Sequence, residues 1–184
     1  MEVSEKVILG IDPGTNIMGY GIIKSLNNKP VLIDMGIIDL LKIKNQYKKL
    51  ETIFNETILL IEKFRPAEMA IESPFYGKNI QSMLKLGRAQ GTAISAAINK
   101  SVKIFEYAPR KIKMSITGNG SASKEQVAMM LGKMLDFSVL YDNYDATDGL
   151  AAAVCHFYQK QIPGIERSNK SWKDFIKNNP DRIC

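Results

Sequence analysis

The order of the apolar segments constrains the fold of this chain more than any other feature of its sequence. Three β-branched apolar runs, at residues 7–11, 19–23 and 31–39, follow one another with only short links. Because such short links join antiparallel strands, we expect a three-stranded meander. Helical and strand patterns then alternate, and crossovers of that kind add parallel strands. The chain is therefore predicted to be an α/β protein with a five-stranded mixed sheet and helices on both faces.

The alternating part of the chain carries start and stop signals for its elements. Apolar residues recur at helical spacing up to Phe64, just before Pro66, which favours a helix end there. Ser123 and Gln126 match a capping box and predict a helix start. The predicted elements are a helix at 46–64, a strand at 69–71, a helix at 80–99, a strand at 102–107, a short helix near Pro109, a loop at 118–120, a helix at 123–135 and a last helix near Asp145.

Length, charge and cysteine content limit the classes of protein to consider. With 184 residues, we expect one domain at 1–163 and a polar, basic tail at 164–184. The net charge of +6 is compatible with an anionic partner and equally with an ordinary basic surface. Two cysteines form neither a disulfide framework nor a zinc pattern, and the start of the chain does not resemble a signal peptide. The cysteine usage indicates a reducing, intracellular setting, and no apolar run is long enough to span a membrane, so a cytoplasmic protein is expected.

Four carboxylates stand where this fold would bring them together. Asp145 and Asp148 lie three residues apart, on one face of a helix whose following residues are apolar all round. Asp12 and Glu72 each end a predicted strand, and sites in such sheets lie beyond the strand carboxyl ends. Taken singly, each acid is explained as a turn former or a helix cap. Together they predict a divalent-metal site, because clustered carboxylates repel one another without a cation.

Oxygen ligands of this kind suit Mg²⁺ or Mn²⁺. Two such ions about 3.5–4 Å apart assist phosphoryl transfer by activating a water and stabilising the leaving oxygen. Basic residues dominate the region between Lys78 and Lys133, which favours a nucleic-acid groove around the acids, although a solvated basic face is the plain alternative. These residues are Lys85, Arg88, Lys100, Lys103, Arg110, Lys111, Lys113 and Lys124.

Four sequence blocks, at residues 8–15, 71–75, 84–91 and 145–151, resemble those of the RuvC-type Holliday junction resolvases, the crossover junction endodeoxyribonucleases. With residues 109–124, the resemblance covers about residues 7–160. It implies a ribonuclease-H-like fold and a homodimer. The implied activity is Mg²⁺-dependent resolution of four-way DNA junctions by paired nicks, in homologous recombination and DNA repair. The implied partners are four-way junction DNA and the branch-migration proteins RuvA and RuvB.

The resemblance also implies roles for individual residues. The family's catalytic, metal-binding acids fall on Asp12, Glu72, Asp145 and Asp148, although some members carry histidine at the third of these positions. A junction-contacting aromatic falls on Phe75, and two basic residues near the scissile phosphate fall on Lys113 and Lys124. Arg88, in the third block, is a further candidate DNA contact.

Two features of the sequence, a stripe of small residues and a loop, each allow two interpretations. Gly87, Gly91 and Ser95 form a small-residue stripe that serves internal packing by default, while the resemblance favours a dimer contact. The loop at 118–121 is either a plain turn and cap or a phosphate cradle ahead of a helix. His156 is expected to pack in the core.

Three other functions compete with junction cleavage. Residues 10–15 followed by Gly19 resemble the first phosphate loop of actin-like ATP-binding proteins, but the chain is too short for their two lobes. A non-catalytic nucleic-acid-binding protein would not need the intact set of acids. A nuclease for RNA or for another branched structure would use the same site chemistry.

Overall fold

The computed structural model of the chain describes residues 5–74, 79–138 and 144–161. Within these residues, strands and helices follow one another in the predicted order. Phe75 and the predicted tail at 164–184 lie outside the described residues. The elements are β1 (Lys6–Asp12), β2 (Ile17–Leu26), β3 (Lys29–Asp39), α1 (Gln46–Phe64), β4 (Glu68–Glu72), α2 (Ile80–Asn99), β5 (Lys103–Tyr107), α3 (Pro109–Thr117), α4 (Lys124–Leu135) and α5 (Tyr144–Gln161).

The strands form one mixed sheet in the order β3-β2-β1-β4-β5. β1, β2 and β3 pair antiparallel, and β1, β4 and β5 pair parallel, so the predicted meander with added parallel strands is confirmed. Asn27 and Asn28 connect β2 to β3 with φ angles of 49° and 58°. A two-residue turn with both φ angles positive matches the twist of a β-hairpin, and asparagine tolerates that conformation.

Helices cover both faces of the sheet, as predicted. Consecutive residues of β1 point to opposite faces, so Ile8 packs with α3, α4 and α5, whereas Leu9 packs with α1 and α2. Two apolar cores result, one on each face of the sheet. In the part of the chain that the structure describes, none of the helices is both long and apolar enough to cross a bilayer.

Side-chain caps set the starts of three helices. Asn45 accepts hydrogen bonds from the backbone at the start of α1, and Asn79 does the same for α2. The capping box predicted from Ser123 and Gln126 is present at α4. Caps of this kind stabilise a helix by about 1 kcal/mol each.

α5 lies directly on the sheet, because glycines occupy the contact. A Cβ atom on Gly10 would overlap the carbonyl oxygen of Gly149, and one on Gly19 would overlap that of Asp145. A Cβ atom on Gly21 would overlap the backbone of Leu150. Only glycine permits backbone to approach backbone this closely. The first turns of α5, with their two acids, are therefore held against β1 and β2 without intervening side chains.

Candidate active site

Asp12 and Glu72 lie side by side at the carboxyl edge of the sheet. Their strands, β1 and β4, are parallel neighbours, and Ile11 pairs with Ile71 one residue earlier in each strand. The two acids line a small cavity of 130 Å³ with Pro13, Ser73, Pro74 and Leu86. The sequence-based expectation that these two strands are adjacent is confirmed.

The other two predicted acids come from the first turns of α5. The helix begins at Tyr144, so Asp145 lies within its first turn, and Asp148 follows one turn later on the same face. The side chain of Asp145 is 44% exposed and that of Asp148 is 17% exposed, so the second acid points further into the protein. Both act electrostatically on Asp12. The structure therefore brings all four acids to one region, called here the four-acid cluster.

Burial and mutual repulsion make the charged form of this cluster unfavourable. Burial, followed by the charges of Glu72 and Asp148, raises the pKa of Asp12 well above its usual range. Burial and the charge of Asp148 raise the pKa of Glu72 to about 7, against the opposing influence of Lys113 and Lys124. Burial also raises the pKa of Asp148. The cluster therefore favours the uptake of protons or of a cation.

Lys124 supplies a positive charge to the cluster from the start of α4. Its Nζ atom lies 3.2 Å from Oδ1 of Asp145 and 2.5 Å from Oδ2 of Asp148. Burial lowers the pKa of Lys124, but the hydrogen bonds and charges of these two acids outweigh it, and the net pKa is raised.

The cluster fits a hard divalent cation chemically, although it is not arranged around one here. Among the described residues, no three Asp, Glu, His or Cys side chains are close enough to hold a metal together. Lys124 instead bridges the two acids of α5. The donors are carboxylate oxygens, and burial raises the pKa of Asp12, Glu72 and Asp148. Such a donor set suits Mg²⁺ or Mn²⁺ once the ammonium moves away.

The predicted basic residues occupy different places. Nζ of Lys113 donates to the carbonyl oxygen of Ala122, 2.8 Å away, and its charge lowers the pKa of Glu72. Lys113 therefore lies beside the cluster with Lys124. Arg88 is exposed on α2. The prediction for Phe75 falls outside the described residues.

The structure shows the surroundings of two residues of the small-residue stripe. A Cβ atom on Gly87 or Gly91 would meet no atom within 4 Å in the described chain. Among the described residues, nothing packs on these two glycines, so their contacts do not support the internal-packing interpretation. Ile80 and Leu84, also on α2, are 72% and 53% exposed, so this helix carries uncovered apolar residues.

The loop after α3 has the geometry of a turn and cap. Gly118 ends α3 with a φ angle of 72°, a conformation that favours glycine. Oδ1 of Asn119 accepts a hydrogen bond from the backbone of Ser121 at 2.9 Å. These local contacts account for the residue types without a bound phosphate.

His156 is fully buried, as predicted, but it belongs to a polar network that the sequence did not indicate. Its Nδ1 atom lies 2.6 Å from the hydroxyl of Tyr107, and its Nε2 atom lies 2.9 Å from Oε2 of Glu68. Glu68, itself 1% exposed, also pairs with Lys6 at 2.5 Å. The network joins α5 to β1, β4 and β5.

Comparison with known proteins gives consistent relatives for the chain. Residues 8–156 match the sequence model of the family described as "Crossover junction endodeoxyribonuclease RuvC". The crossover junction endodeoxyribonuclease RuvC of Bacteroides fragilis is 57% identical, over 98% of this chain and 97% of that protein. Its counterpart in Christiangramia forsetii is also 57% identical, over 98% and 94%.

Solved structures agree with the sequence relatives. The structure of T. thermophilus RuvC in complex with a Holliday junction substrate superposes with a TM-score of 0.77 at 27% identity. The superposition covers 85% of this chain and 96% of that one. The ribonuclease-H-like fold expected from the sequence is thereby confirmed.

Proposed function

Because the chain belongs to the RuvC family of crossover junction endodeoxyribonucleases, we propose that its four-acid cluster cleaves the DNA backbone at four-way junctions with the help of divalent cations. The chain is a structure-selective endonuclease of homologous recombination and DNA repair. Family membership sets aside the actin-like ATP-binding and the non-catalytic alternatives. The observation that carries the site assignment is the meeting of Asp12, Glu72 and Asp148 with raised pKa values at the carboxyl edge of the sheet.

The acids have the chemistry to hold the cations. Asp12 and Glu72 offer oxygens from the sheet edge, and Asp145 and Asp148 offer oxygens from α5. Bound Mg²⁺, or Mn²⁺ in its place, with two ions in each site, would activate the attacking water and stabilise the leaving oxygen. Since burial and repulsion raise the pKa of Glu72 to about 7, protons compete with the cation, and affinity for the cation rises with pH.

The lysines beside the cluster have a second role. Lys124 neutralises the acids of α5 in the metal-free protein and becomes available to a DNA phosphate when a cation takes its place. Lys113 ties α3 to the segment before α4 and adds positive charge near Glu72. Phosphate contacts from Arg88 and base stacking by Phe75, worth about 1–3 kcal/mol, complete the proposed DNA surface.

Paired cleavage of a junction requires two sites. A homodimer related by a two-fold axis presents two equivalent four-acid clusters to the two-fold-symmetric junction. The open glycines and exposed apolar residues of α2 support that helix as part of the dimer contact. By resemblance to the family, RuvA and RuvB are the proposed partners in branch migration.

Cleavage assays on labelled four-way junction, duplex and single strand, with and without Mg²⁺, test this function. Asp12→Asn, Glu72→Gln and Asp148→Asn should each lower cleavage at least about 100-fold, equivalent to about 3 kcal/mol of barrier, and leave junction binding largely intact. Asp136→Asn is the matched control, because Asp136 ends α4 with a φ angle of 54°, which asparagine tolerates.

Three outcomes of these assays would contradict the proposed function. Wild-type rates in two or more of the acid variants, with folding unchanged, would rule out the four-acid site. Preferential cutting of RNA or of another branched structure would redirect the substrate assignment. A monomeric wild type that still makes paired cuts, measured by light scattering at the assay concentration, would remove the dimer.

A further inference from the structure

A second cavity, of 420 Å³, opens next to the four-acid cluster and has a basic lining. Acidic residues are absent from the described lining. Three lysines from three different segments converge on it instead, together with hydroxyl and amide side chains. The lining residues of this basic cavity are Thr15, Asn16, Ile43, Lys44, Gln46, Lys49, Ser82 and Lys85.

The basic cavity and the acid-lined cavity share two walls. Pro13 lines the acid-lined cavity and Thr15 the basic cavity, and only one residue separates them in the chain. On α2, Leu86 lines the first and Lys85 the second. Residues two apart are at most roughly 7 Å from each other. The two cavities therefore adjoin, and one DNA strand, which rises about 3.4 Å per nucleotide, can place phosphates about two nucleotides apart in them.

Lys49 is held in place by two neutral hydrogen-bond acceptors. Its Nζ atom donates to the carbonyl oxygen of Thr15 at 2.7 Å and to Oδ1 of Asn16 at 2.9 Å. Both acceptors are neutral, and an ammonium group has three donors, so one donor remains for a ligand. In the described part of the chain, neither Lys44, Lys49 nor Lys85 forms an ion pair. The described lining of the cavity therefore concentrates positive charge that no ion pair compensates.

The two groups of basic residues lie on opposite sides of the sheet edge. Lys113 and Lys124 belong to the layer of α3, α4 and α5. Lys49 and Lys85 belong to the layer of α1 and α2, which packs on the other face. A DNA strand that crosses the carboxyl edge at Asp12 would meet positive charge from both layers.

We propose that the basic cavity binds a backbone phosphate of the junction strand, within about two nucleotides of the phosphate that the four-acid cluster cleaves. This inference rests on the proposed function, since it places the same strand in both cavities. The phosphate accepts hydrogen bonds from Lys49, Lys44 and Lys85 and holds the strand in register for cleavage. Because no base edge is contacted, the subsite acts on any sequence.

The first test is the salt dependence of junction binding in EDTA, where no cut occurs. The double variant Lys44→Gln/Lys85→Gln should bind about ten-fold more weakly at 0.1 M salt. The slope of log K against log salt should fall by about 0.9, the value for one lost phosphate contact. Lys48→Gln is the matched control, since Lys48 lies beside Lys49 in sequence but pairs with Glu51 at 2.6 Å. Its slope should stay that of wild type.

The second test locates the phosphate. Junctions carrying one neutral methylphosphonate, at each position within two nucleotides of the cut, are bound to wild type and to the double variant. The methylphosphonate and the double substitution each reduce the free energy of binding. At one position these two reductions should not add, because both remove the same phosphate contact. Additive losses at every position would overturn the proposal, whatever the salt slope, while leaving the cleavage assignment intact.

A free anion is the alternative occupant. Inorganic phosphate at millimolar concentration should neither stabilise wild type against heat nor compete with junction binding beyond its ionic strength. Stabilisation that is lost in the double variant, combined with a salt slope equal to that of Lys48→Gln, would assign the cavity to free phosphate and overturn the DNA proposal.

Discussion

Replacing Glu72 by glutamine should stabilise the metal-free protein at alkaline pH while it removes cleavage. Burial, followed by repulsion from Asp148, raises the pKa of Glu72 to about 7, whereas its ordinary value is 4.5. The folded protein therefore binds this proton more tightly than the unfolded chain does. Raising the pH from 4.5 towards 7 then favours unfolding of the wild type, and this contribution is constant above pH 7.

The size of the effect follows from the same two values. The difference between about 7 and 4.5 corresponds to about 3 kcal/mol of unfolding free energy. Between pH 5 and pH 8.5, about 2.5 kcal/mol of this is lost by the wild type. Glutamine keeps the shape of the side chain without a charge, so the variant lacks this particular loss.

Urea denaturation in EDTA at pH 5 and at pH 8.5 measures the effect. The free energy of unfolding of Glu72→Gln relative to wild type should increase by about 2.5 kcal/mol between the two pH values. Titrating groups that Glu72 does not influence cancel in this comparison. The pKa of Asp12, which the charge of Glu72 raises, falls in the variant, and this change adds to the increase. An equal difference between variant and wild type at both pH values would refute the argument that Glu72 is ionised at a cost in the folded protein.

Three further substitutions test other contacts. Lys124→Met should tighten divalent-cation binding in the absence of DNA by about ten-fold. The reason is that it removes two ion pairs, worth up to about 1 kcal/mol each, that compete with the cation. Calorimetry measures the cation affinity, and an unchanged affinity would contradict this prediction. His156→Phe should lower the free energy of unfolding by about 3 kcal/mol, since it takes one partner from the buried Glu68; a change below 1 kcal/mol in urea would mean that the pair is not needed. Gly149→Ala should lower the free energy of unfolding by about 3 kcal/mol or more, because its Cβ atom would enter the backbone of β2; a melting temperature equal to that of wild type would contradict this account.

Elements whose limits depend on local chemistry were predictable from the sequence. The limits of α1 and α2 agree with the prediction, because helical spacing of apolar residues and the stop before Pro66 act over a few residues. β2 and β3 extend beyond their predicted ends as far as the pair Leu26 and Lys29. The turn at Asn27 and Asn28 sets this hairpin pairing, so polar residues continue the strands past the apolar runs.

Contacts between distant parts of the chain were harder to predict from the sequence. The meeting of the four acids follows from topology, because strand ends and a helix start converge at one edge of the sheet. One of the two polar partners of His156, Glu68, lies 88 residues away in the chain, and the bridge from Lys124 to the acids of α5 also depends on tertiary packing. A signal for the close contact of α5 was present, however, since glycine inside strands, as at Gly10 and Gly21, often marks a close backbone approach.

The glycine contact between α5 and the sheet determines how this enzyme tolerates sequence change. Where backbone touches backbone, the separation is set by the thickness of peptide groups and not by the volume of side chains. Apolar substitutions in the layer of α1 and α2 can therefore alter stability while the acids of α5 keep their distance from Asp12. At Gly10, Gly19, Gly21 and Gly149, by contrast, even one added methyl group would displace the helix. The two faces of the same sheet are thus free to diverge at very different rates.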